Sequence, residues 1–217
     1  MVSNRKKRFE DNLRRELRKP LAPEEIDRLL QFLLGEQDNP SDKVKNLKHY
    51  QDFILILLYC GLRIGECSAI RYCDVDFDKR IIRIAYNFAI QKDDYRQTIV
   101  RKSCKSNEIK YVKLPDILYS KLYQKSLQEN PENLLFYSHT GKIITAKSFN
   151  VIWREILSIC NIPYRVPYCL RHNFASYLLK NNVPAVDVAA MLGHTNINTL
   201  SKYYAWALNP PVNPEFK

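Results

Sequence analysis

The strongest constraint on the fold is an unbroken apolar run from Phe53 to Cys60 that stops at Gly61. The run is too short to cross a bilayer, which takes about 20 residues in a helix. It is typical of a helix buried in a protein core, and glycine often ends such helices. We therefore expect a long helix from about Val44 to Cys60, deeply buried at its apolar end.

Amphipathic patterns indicate further helices around this one. After Pro23, apolar residues spaced by three and four form a core-facing stripe: Ile26, Leu29, Leu30, Leu33 and Leu34. Other patterns predict helices at 65–70, 115–127, 145–160, 170–181, 184–192 and 197–207. Strand-like patterns predict three strands, at 80–86, 98–101 and 109–114. A polar hairpin at 102–108 joins the last two. The sequence thus predicts a mainly α fold with a small antiparallel β-sheet, an α+β class.

The charge of the chain favours a polyanionic partner. The formal net charge is +11, from 34 Lys and Arg against 23 Asp and Glu, and the positive residues cluster at 5–8, 14–19 and 96–113. Neutralising phosphates with such clusters releases condensed counterions, which drives binding to nucleic acid. A basic surface indifferent to nucleic acid is the alternative that composition alone leaves open, and the clustering favours nucleic acid.

The cysteines and the N-terminus indicate a cytoplasmic protein without a metal. The six cysteines are Cys60, Cys67, Cys73, Cys104, Cys160 and Cys169. They form no Cys-x-x-Cys pair, and no histidine lies at zinc-site spacing from them. We expect reduced and mostly buried thiols, and no cofactor. The basic start at 1–8 has no apolar region behind it, so it is no signal peptide, and no run is long enough to span a membrane.

Several short motifs, in order, resemble the boxes of the tyrosine recombinases, the phage-integrase and Xer class. They are Gly61-Leu62-Arg63-Ile64-Gly65-Glu66, Leu170-Arg171-His172-Asn173-Phe174-Ala175, Leu192-Gly193-His194 and Tyr203. Twenty-three positions lead from Arg171 to His194 and nine more to Tyr203, which is similar to the spacing in that family. The resemblance covers about Leu21 to Trp206 and implies that family's catalytic domain.

The resemblance implies a role for each of these residues. Arg63 and Arg171 match the charge that develops on a phosphate under attack, because guanidinium groups are permanently charged bidentate donors, and His194 adds another donor. Tyr203 is the expected nucleophile, with Tyr204 as the alternative. A hairpin lysine protonates the leaving oxygen in this family, and Lys102 occupies the matching position, with Lys105 as the alternative.

Two positions depart from the family pattern. Tyr168 stands where relatives usually have histidine, three residues before the arginine, and Ala205 stands where they often have another histidine. Tyr168 can still donate a hydrogen bond to phosphate but does not readily exchange protons at neutral pH. His172 either substitutes in part or packs inside.

Four residues near the boxes are expected to contact DNA: Arg101, Lys105, His172 and Lys202. Glu66 resembles a family position that orients active-site groups, or is an ordinary ion-paired glutamate.

The resemblance implies a site-specific DNA recombinase or integrase that works through a 3′-phosphotyrosyl intermediate without metal or ATP. Type IB topoisomerase-like relaxation and a non-catalytic helical DNA-binding module are the alternatives, and Tyr168 favours the last. The expected partner is double-stranded DNA. We expect the protein to form a tetramer on DNA and to be weakly associated or monomeric without it. Viral integration, excision and replicon resolution all remain open.

We expect residues 1–20 to be a basic arm or linker remnant, 21–207 the catalytic domain, and 208–217 an extended tail. Recombinases of this class usually carry a separate N-terminal helical domain, for which this chain lacks room. The chain is therefore expected to be either a catalytic fragment or a minimal enzyme.

Overall fold

A computed structural model describes residues 10, 12–36, 38–92, 97–104 and 109–193 of the chain. A short helical segment at 12–16 comes first. The named helices that follow are α1 (Pro23–Leu34), α2 (Asp42–Lys48), α3 (Gln51–Cys60), α4 (Ile64–Ser68), α5 (Asp116–Ser126), α6 (Ala146–Ile159), α7 (Tyr168–Lys180) and α8 (Ala185–Leu192). The strands are β1 (Val75–Asp76), β2 (Ile81–Ile84), β3 (Tyr86–Lys92), β4 (Gln97–Ser103) and β5 (Lys110–Lys113). This confirms the mainly α class, while the helix predicted at 197–207 lies outside the described residues.

The strands form two small antiparallel sheets where the sequence predicted one. β1, β2 and β5 make a three-stranded sheet with β2 in the middle, and β3 pairs with β4 in a separate ribbon. The chain passes from one sheet to the other at Ala85, whose carbonyl accepts a hydrogen bond of 3.1 Å from the Cys104 amide. The pattern predicted a strand that ended at Tyr86 and so did not predict most of β3, because its residues from Tyr86 to Gln91 are half-buried or exposed and show no strict alternation.

The long helix predicted from Val44 to Cys60 was wrong in one respect, since it is two helices. α2 ends at Lys48, with His49 as its C-cap, and α3 begins after Tyr50. Tyr50 is buried, and its hydroxyl hydrogen-bonds to the His139 ring at 3.2 Å. This contact with a distant turn fixes the backbone at the junction, so tertiary packing overrides the local helical pattern.

The apolar run is the centre of the core, as the sequence predicted. Between Phe53 and Cys60 every side chain of α3 is buried except that of Tyr59. α3 packs along α7, the helix that carries Arg171. No helix in the described part of the chain is long and apolar enough to span a bilayer.

The stripe predicted on α1 is largely confirmed. Leu29 and Leu33 are buried, and Ile26 and Leu30 are partly buried against the same core. Leu34 is exposed at the end of the helix, and Phe32 is buried instead.

The segment before α1 is attached to the part of the chain that carries Arg171. The Val166 amide donates to the Leu17 carbonyl at 2.8 Å. Leu21 is buried and exchanges two hydrogen bonds with the Asn173 side chain, at 2.9 and 2.8 Å. The start of α1 is therefore fixed to α7, and a domain boundary near residue 20 stays a prediction.

The cysteines are free thiols, as expected. Five of them are buried, and Cys73 is exposed. Burial raises the pKa of Cys60 and of Cys169 to about 12. Because the thiolate is the reactive form, these two side chains behave as small apolar core residues.

We expect Phe149→Ala to lower the free energy of unfolding by about 3–5 kcal/mol, measured by urea denaturation. Phe149 is fully buried on α6, with its ring centroid 5.0 Å from that of Phe53 and 6.2 Å from that of Trp153. Val151→Ala is the control, because Val151 is exposed on the same helix and its loss should change stability by less than about 0.5 kcal/mol. Equal losses in the two variants would contradict this description of the core.

Candidate active site

Arg171 lies in the first turn of α7 and is almost completely buried, with 3% of its surface exposed. One terminal nitrogen donates to the carbonyl of Gly61 at 2.7 Å, and the other donates to the carbonyl of Leu192. These two carbonyls belong to the ends of α3 and α8. Burial is the main influence that lowers the pKa of this guanidinium below its ordinary value. A single side chain thus connects three helices.

The Gly61 turn strongly favours glycine. Gly61 has a φ of +62° and ends α3 in the left-handed conformation, which is strained for residues with a side chain. A Cβ placed there would lie 2.4 Å from the ring of Phe174 on α7. The absence of a side chain therefore lets α7 approach closely enough for Arg171 to reach the Gly61 carbonyl.

Arg63 and Glu66 form the second part of the site, at the start of α4. A terminal nitrogen of Arg63 lies 2.7 Å from Glu66 Oε1, and the Arg63 amide donates to Glu66 Oε2 at 2.9 Å. The Glu66 side chain is 4% exposed, whereas that of Arg63 is 44% exposed. A buried carboxylate therefore holds an arginine whose guanidinium remains open to solvent.

Arg171 and Arg63 converge on this carboxylate. A terminal nitrogen of Arg171 lies 4.0 Å from Glu66 Oε2. The two arginines are 108 positions apart in sequence, and the structure brings both to one glutamate.

A third cation, which the sequence analysis did not identify, completes the cluster. Lys110 at the start of β5 places its Nζ 3.0 Å from Glu66 Oε1, and its side chain is only 11% exposed. The signal was present in the alternation of β5, because Lys110 shares a strand face with Val112 and the buried Leu114. Within the described residues, we define Arg63, Glu66, Lys110 and Arg171 as the cationic cluster.

The charge balance of the cationic cluster is strongly positive. Burial alone would raise the pKa of Glu66, but the Lys110 charge, the Arg63 amide and the two arginine charges outweigh it and hold the pKa below its ordinary value. Glu66 is therefore ionised at neutral pH, and three cations face one carboxylate. Such an arrangement favours an added anion next to the exposed guanidinium of Arg63.

Tyr168 lies beside Arg171 at the start of α7. The guanidinium carbon of Arg171 is 5.9 Å from the centroid of the Tyr168 ring, and that of Arg18 is 5.7 Å from it. The His172 ring meets the Tyr168 ring edge-on at 4.9 Å. Tyr168 is thus in contact with the cationic cluster.

Other residues predicted for the site lie elsewhere or outside the described residues. Lys102 lies within β4 opposite Asn87, with an exposed side chain, rather than in a hairpin turn. His172 is buried, as its packing alternative predicted. Four of the predicted site residues lie outside the described residues, namely Lys105, His194, Lys202 and Tyr203. The alternative nucleophile Tyr204 also lies outside them.

Arg101 was predicted to contact DNA, and its guanidinium has internal partners. It lies 3.7 Å from the centroid of the Tyr86 ring and donates to the Ala69 carbonyl at 3.2 Å and to Asp74 at 3.4 Å. The DNA-binding role of Arg101 stays a prediction.

Comparison with known proteins now identifies the family. The model of the phage integrase family matches residues 19–209. The chain belongs to the phage integrase family of tyrosine recombinases. A tyrosine recombinase of Pseudothermotoga lettingae is 30% identical over 196 residues, covering 88% of this chain and 57% of that protein. A probable integrase/recombinase of Acholeplasma phage L2 is 28% identical, covering 73% of this chain and 50% of that protein.

Solved structures share the fold of this integrase-family chain. The Tn1549 transposon integrase, in complex with a circular intermediate DNA, matches with a TM-score of 0.70 at 20% identity, covering 86% of this chain and 61% of that chain. The catalytic domain of bacteriophage HP1 integrase matches with a TM-score of 0.59 at 17% identity, covering 88% and 90%. The chain spans little more than half the length of curated relatives that it matches, 57% and 53% for two of them.

We expect replacement of Glu66 in this integrase-family chain to change how stability depends on pH. A carboxyl with a lowered folded pKa adds stability above its ordinary pKa of about 4.3 and loses it as pH falls through the folded pKa. Glu66→Gln should therefore be less stable than wild type by about 3–5 kcal/mol at pH 7, because three cations lose their buried counter-charge. The gap should close as pH falls below about 4.3, measured by urea denaturation across pH.

Glu155→Gln is the control for this measurement. Glu155 pairs with Lys43 at 3.2 Å on the surface, so its loss should cost less than about 1 kcal/mol. A gap between wild type and Glu66→Gln that stays constant with pH would show that Glu66 is not held ionised by the cationic cluster.

A pair of glycine variants tests the Gly61 turn. Gly61 and Gly141 have φ of +62° and +74°, so alanine strains both, but at Gly141 a Cβ meets nothing within 4 Å. We expect Gly141→Ala to cost about 1 kcal/mol and Gly61→Ala to cost about 1–3 kcal/mol more, because of the Phe174 clash. Thermal or urea denaturation measures both, and equal losses would mean that the α3–α7 contact tolerates a side chain.

Proposed function

We propose that this chain is the catalytic part of a site-specific DNA recombinase that cleaves and rejoins strands through a 3′-phosphotyrosyl intermediate. The observation that carries the proposal is the convergence of Arg63 and Arg171 on Glu66, beside Lys110. Membership of the phage integrase family supports it. A scissile phosphate that binds the exposed Arg63 guanidinium adds its negative charge to a cluster with an excess of cations.

In the proposed reaction the Tyr203 hydroxyl loses its proton to solvent and its oxygen attacks the scissile phosphorus. The bond from tyrosine to phosphorus forms and the bond from phosphorus to the 5′ oxygen breaks. The leaving oxygen takes a proton from a lysine, either Lys102 of β4 or Lys105, and becomes a 5′ hydroxyl. A 5′ hydroxyl of a second strand then reverses these steps, so the bond energy is kept without ATP or metal.

Arg63 and Arg171 stabilise the charge on the non-bridging oxygens in this reaction, together with His194. A preorganised donor of this kind is worth about 3–4 kcal/mol in the transition state. Tyr168 replaces the family's usual histidine with a hydroxyl that donates a hydrogen bond but does not readily exchange protons at neutral pH.

Double-stranded DNA is the proposed partner, in keeping with the net charge of +11 and with the DNA complexes of the Tn1549 integrase. Binding by this chain should weaken steeply as salt rises, because it releases counterions. The same proposal includes a tetramer on DNA and a cytoplasmic site of action. It also includes a catalytic domain at 21–207 and a tail at 208–217. The proposed DNA contacts are Lys202, Lys105 and Arg101.

We expect the wild-type chain to form a covalent adduct with a nicked duplex, selected from a pool with randomised arms. After cleavage, the short fragment that carries the free 5′ hydroxyl diffuses away at the nick, so the strand cannot be rejoined and the protein stays linked to the DNA. A denaturing gel measures the adduct. Tyr203→Phe should form no adduct because it lacks the nucleophilic oxygen. Tyr204→Phe should retain the adduct, because neighbouring residues of the helix predicted at 197–207 would point about 100° apart.

The outcomes of this selection separate the proposal from its alternatives. An adduct lost in Tyr204→Phe instead would move the nucleophile by one position. An adduct followed by supercoil relaxation, without exchange between two duplexes, would indicate a topoisomerase-like activity. DNA binding with no adduct from any duplex in the pool would indicate a non-catalytic binding module.

A further inference from the structure

Lys110 lies where three separate parts of the chain meet. Its Nζ is 3.0 Å from Glu66 of α4, while its backbone begins β5. A Cβ placed on Gly193, the residue that ends α8, would lie 2.7 Å from Lys110 Cε and 2.8 Å from Nζ. The lysine therefore packs directly against this glycine, and His194 is the next residue in the chain.

The register of the three-stranded sheet directs Lys110 inward. Lys110 pairs with Ile84 and Val112 pairs with Ile82, and both isoleucines are buried. Residues paired across an antiparallel ladder share one face of the sheet, so Lys110 is on the core face. An ammonium group on such a face is costly unless a carboxylate compensates it, and Glu66 does so.

We propose that Lys110 is a positioning residue for the strand-cleavage reaction: it packs against Gly193 and shares the Glu66 charge that would otherwise fall on Arg63 and Arg171 alone. The reaction part of this inference rests on the proposed recombinase function. The lysine contacts the carboxylate and the glycine turn, so its effect on the scissile phosphate passes through Glu66 and the end of α8.

The charge balance around Glu66 explains why the loss of Lys110 would affect the two arginines. With Lys110 present, Glu66 has three cationic neighbours, and its charge is shared among them. Without it, only Arg63 and Arg171 face the carboxylate, and both are drawn toward it. Displacement of a positioning group by about 1 Å can cost on the order of 100-fold in rate.

The test uses two lysines of the same strand. Lys110→Met should slow adduct formation by about 10–100-fold on a duplex selected for the wild-type chain. Lys113→Met is the matched control, because Lys113 is 72% exposed on the outer face of β5 and pairs with Asp116 at 3.0 Å. It should change the rate by less than about twofold. Equal rates in the two variants would overturn the proposal.

A substrate with sulfur in place of the leaving 5′ oxygen separates positioning from proton donation. A thiol has a pKa of about 8.5, so the sulfur leaves without a donated proton. If Lys110 acts by positioning, the defect of Lys110→Met persists on this substrate. Recovery of the wild-type rate would show that Lys110 is itself the proton donor and would overturn the proposal.

A double-mutant cycle tests the lysine without any reaction. Urea midpoints are measured for wild type, Lys110→Met, Glu66→Gln and the double variant. If the two side chains act together, the double variant shifts the midpoint by less than the sum of the single shifts. Additive shifts would overturn the positioning role even where the chain forms an adduct. If the double variant shows coupling but the wild-type chain forms no adduct with any duplex, the proposed function is contradicted and the Lys110–Glu66 interaction is supported.

Discussion

The site depends on the burial of the Arg171 guanidinium between two helix ends. Its terminal nitrogens donate to the carbonyls of Gly61 and Leu192, which no longer accept bonds from within their own helices. One side chain thus satisfies two helix ends and fixes their relative positions. Since the Gly61 turn leads directly to Arg63 and Leu192 directly precedes Gly193, this contact sets where the rest of the cationic cluster can lie.

The buried Glu66 is the counterpart of that contact. A buried ion pair contributes little net stability, since desolvation offsets the attraction between the charges. A single carboxylate among three cations is therefore hard to explain by stability alone. It is explained if the cluster must hold its cations in place and still keep positive charge in excess for an anion, and a scissile phosphate fits that requirement.

The sequence predicted the parts of the site that local patterns encode. Helix periodicity and glycine placement predict the Gly61 turn, the helix that carries Arg171 and the end of α8 at Gly193. Lys110 was missed because the alternation of β5, which groups it with Val112 and Leu114, does not by itself tell which face of a short strand is buried, and its pairing with Ile84 shows that it points inward. The break at Tyr50 was missed for a similar reason, because it depends on His139, 89 positions away. Both depend on partners far along the chain, which local patterns do not report.

Tyr168 changes the chemistry of the site more than its fold. Its ring packs against His172 and lies beside Arg171, so a large side chain is accommodated next to the guanidinium. If it faces phosphate, it offers one neutral donor where a protonated histidine would add a positive charge. The positive charge in the described site then comes from arginine and lysine, residue types whose ordinary pKa values lie well above neutral pH. The electrostatic part of the proposed reaction should accordingly vary little across that range, and any steep dependence must arise from the proton transfers at the nucleophile and the leaving oxygen.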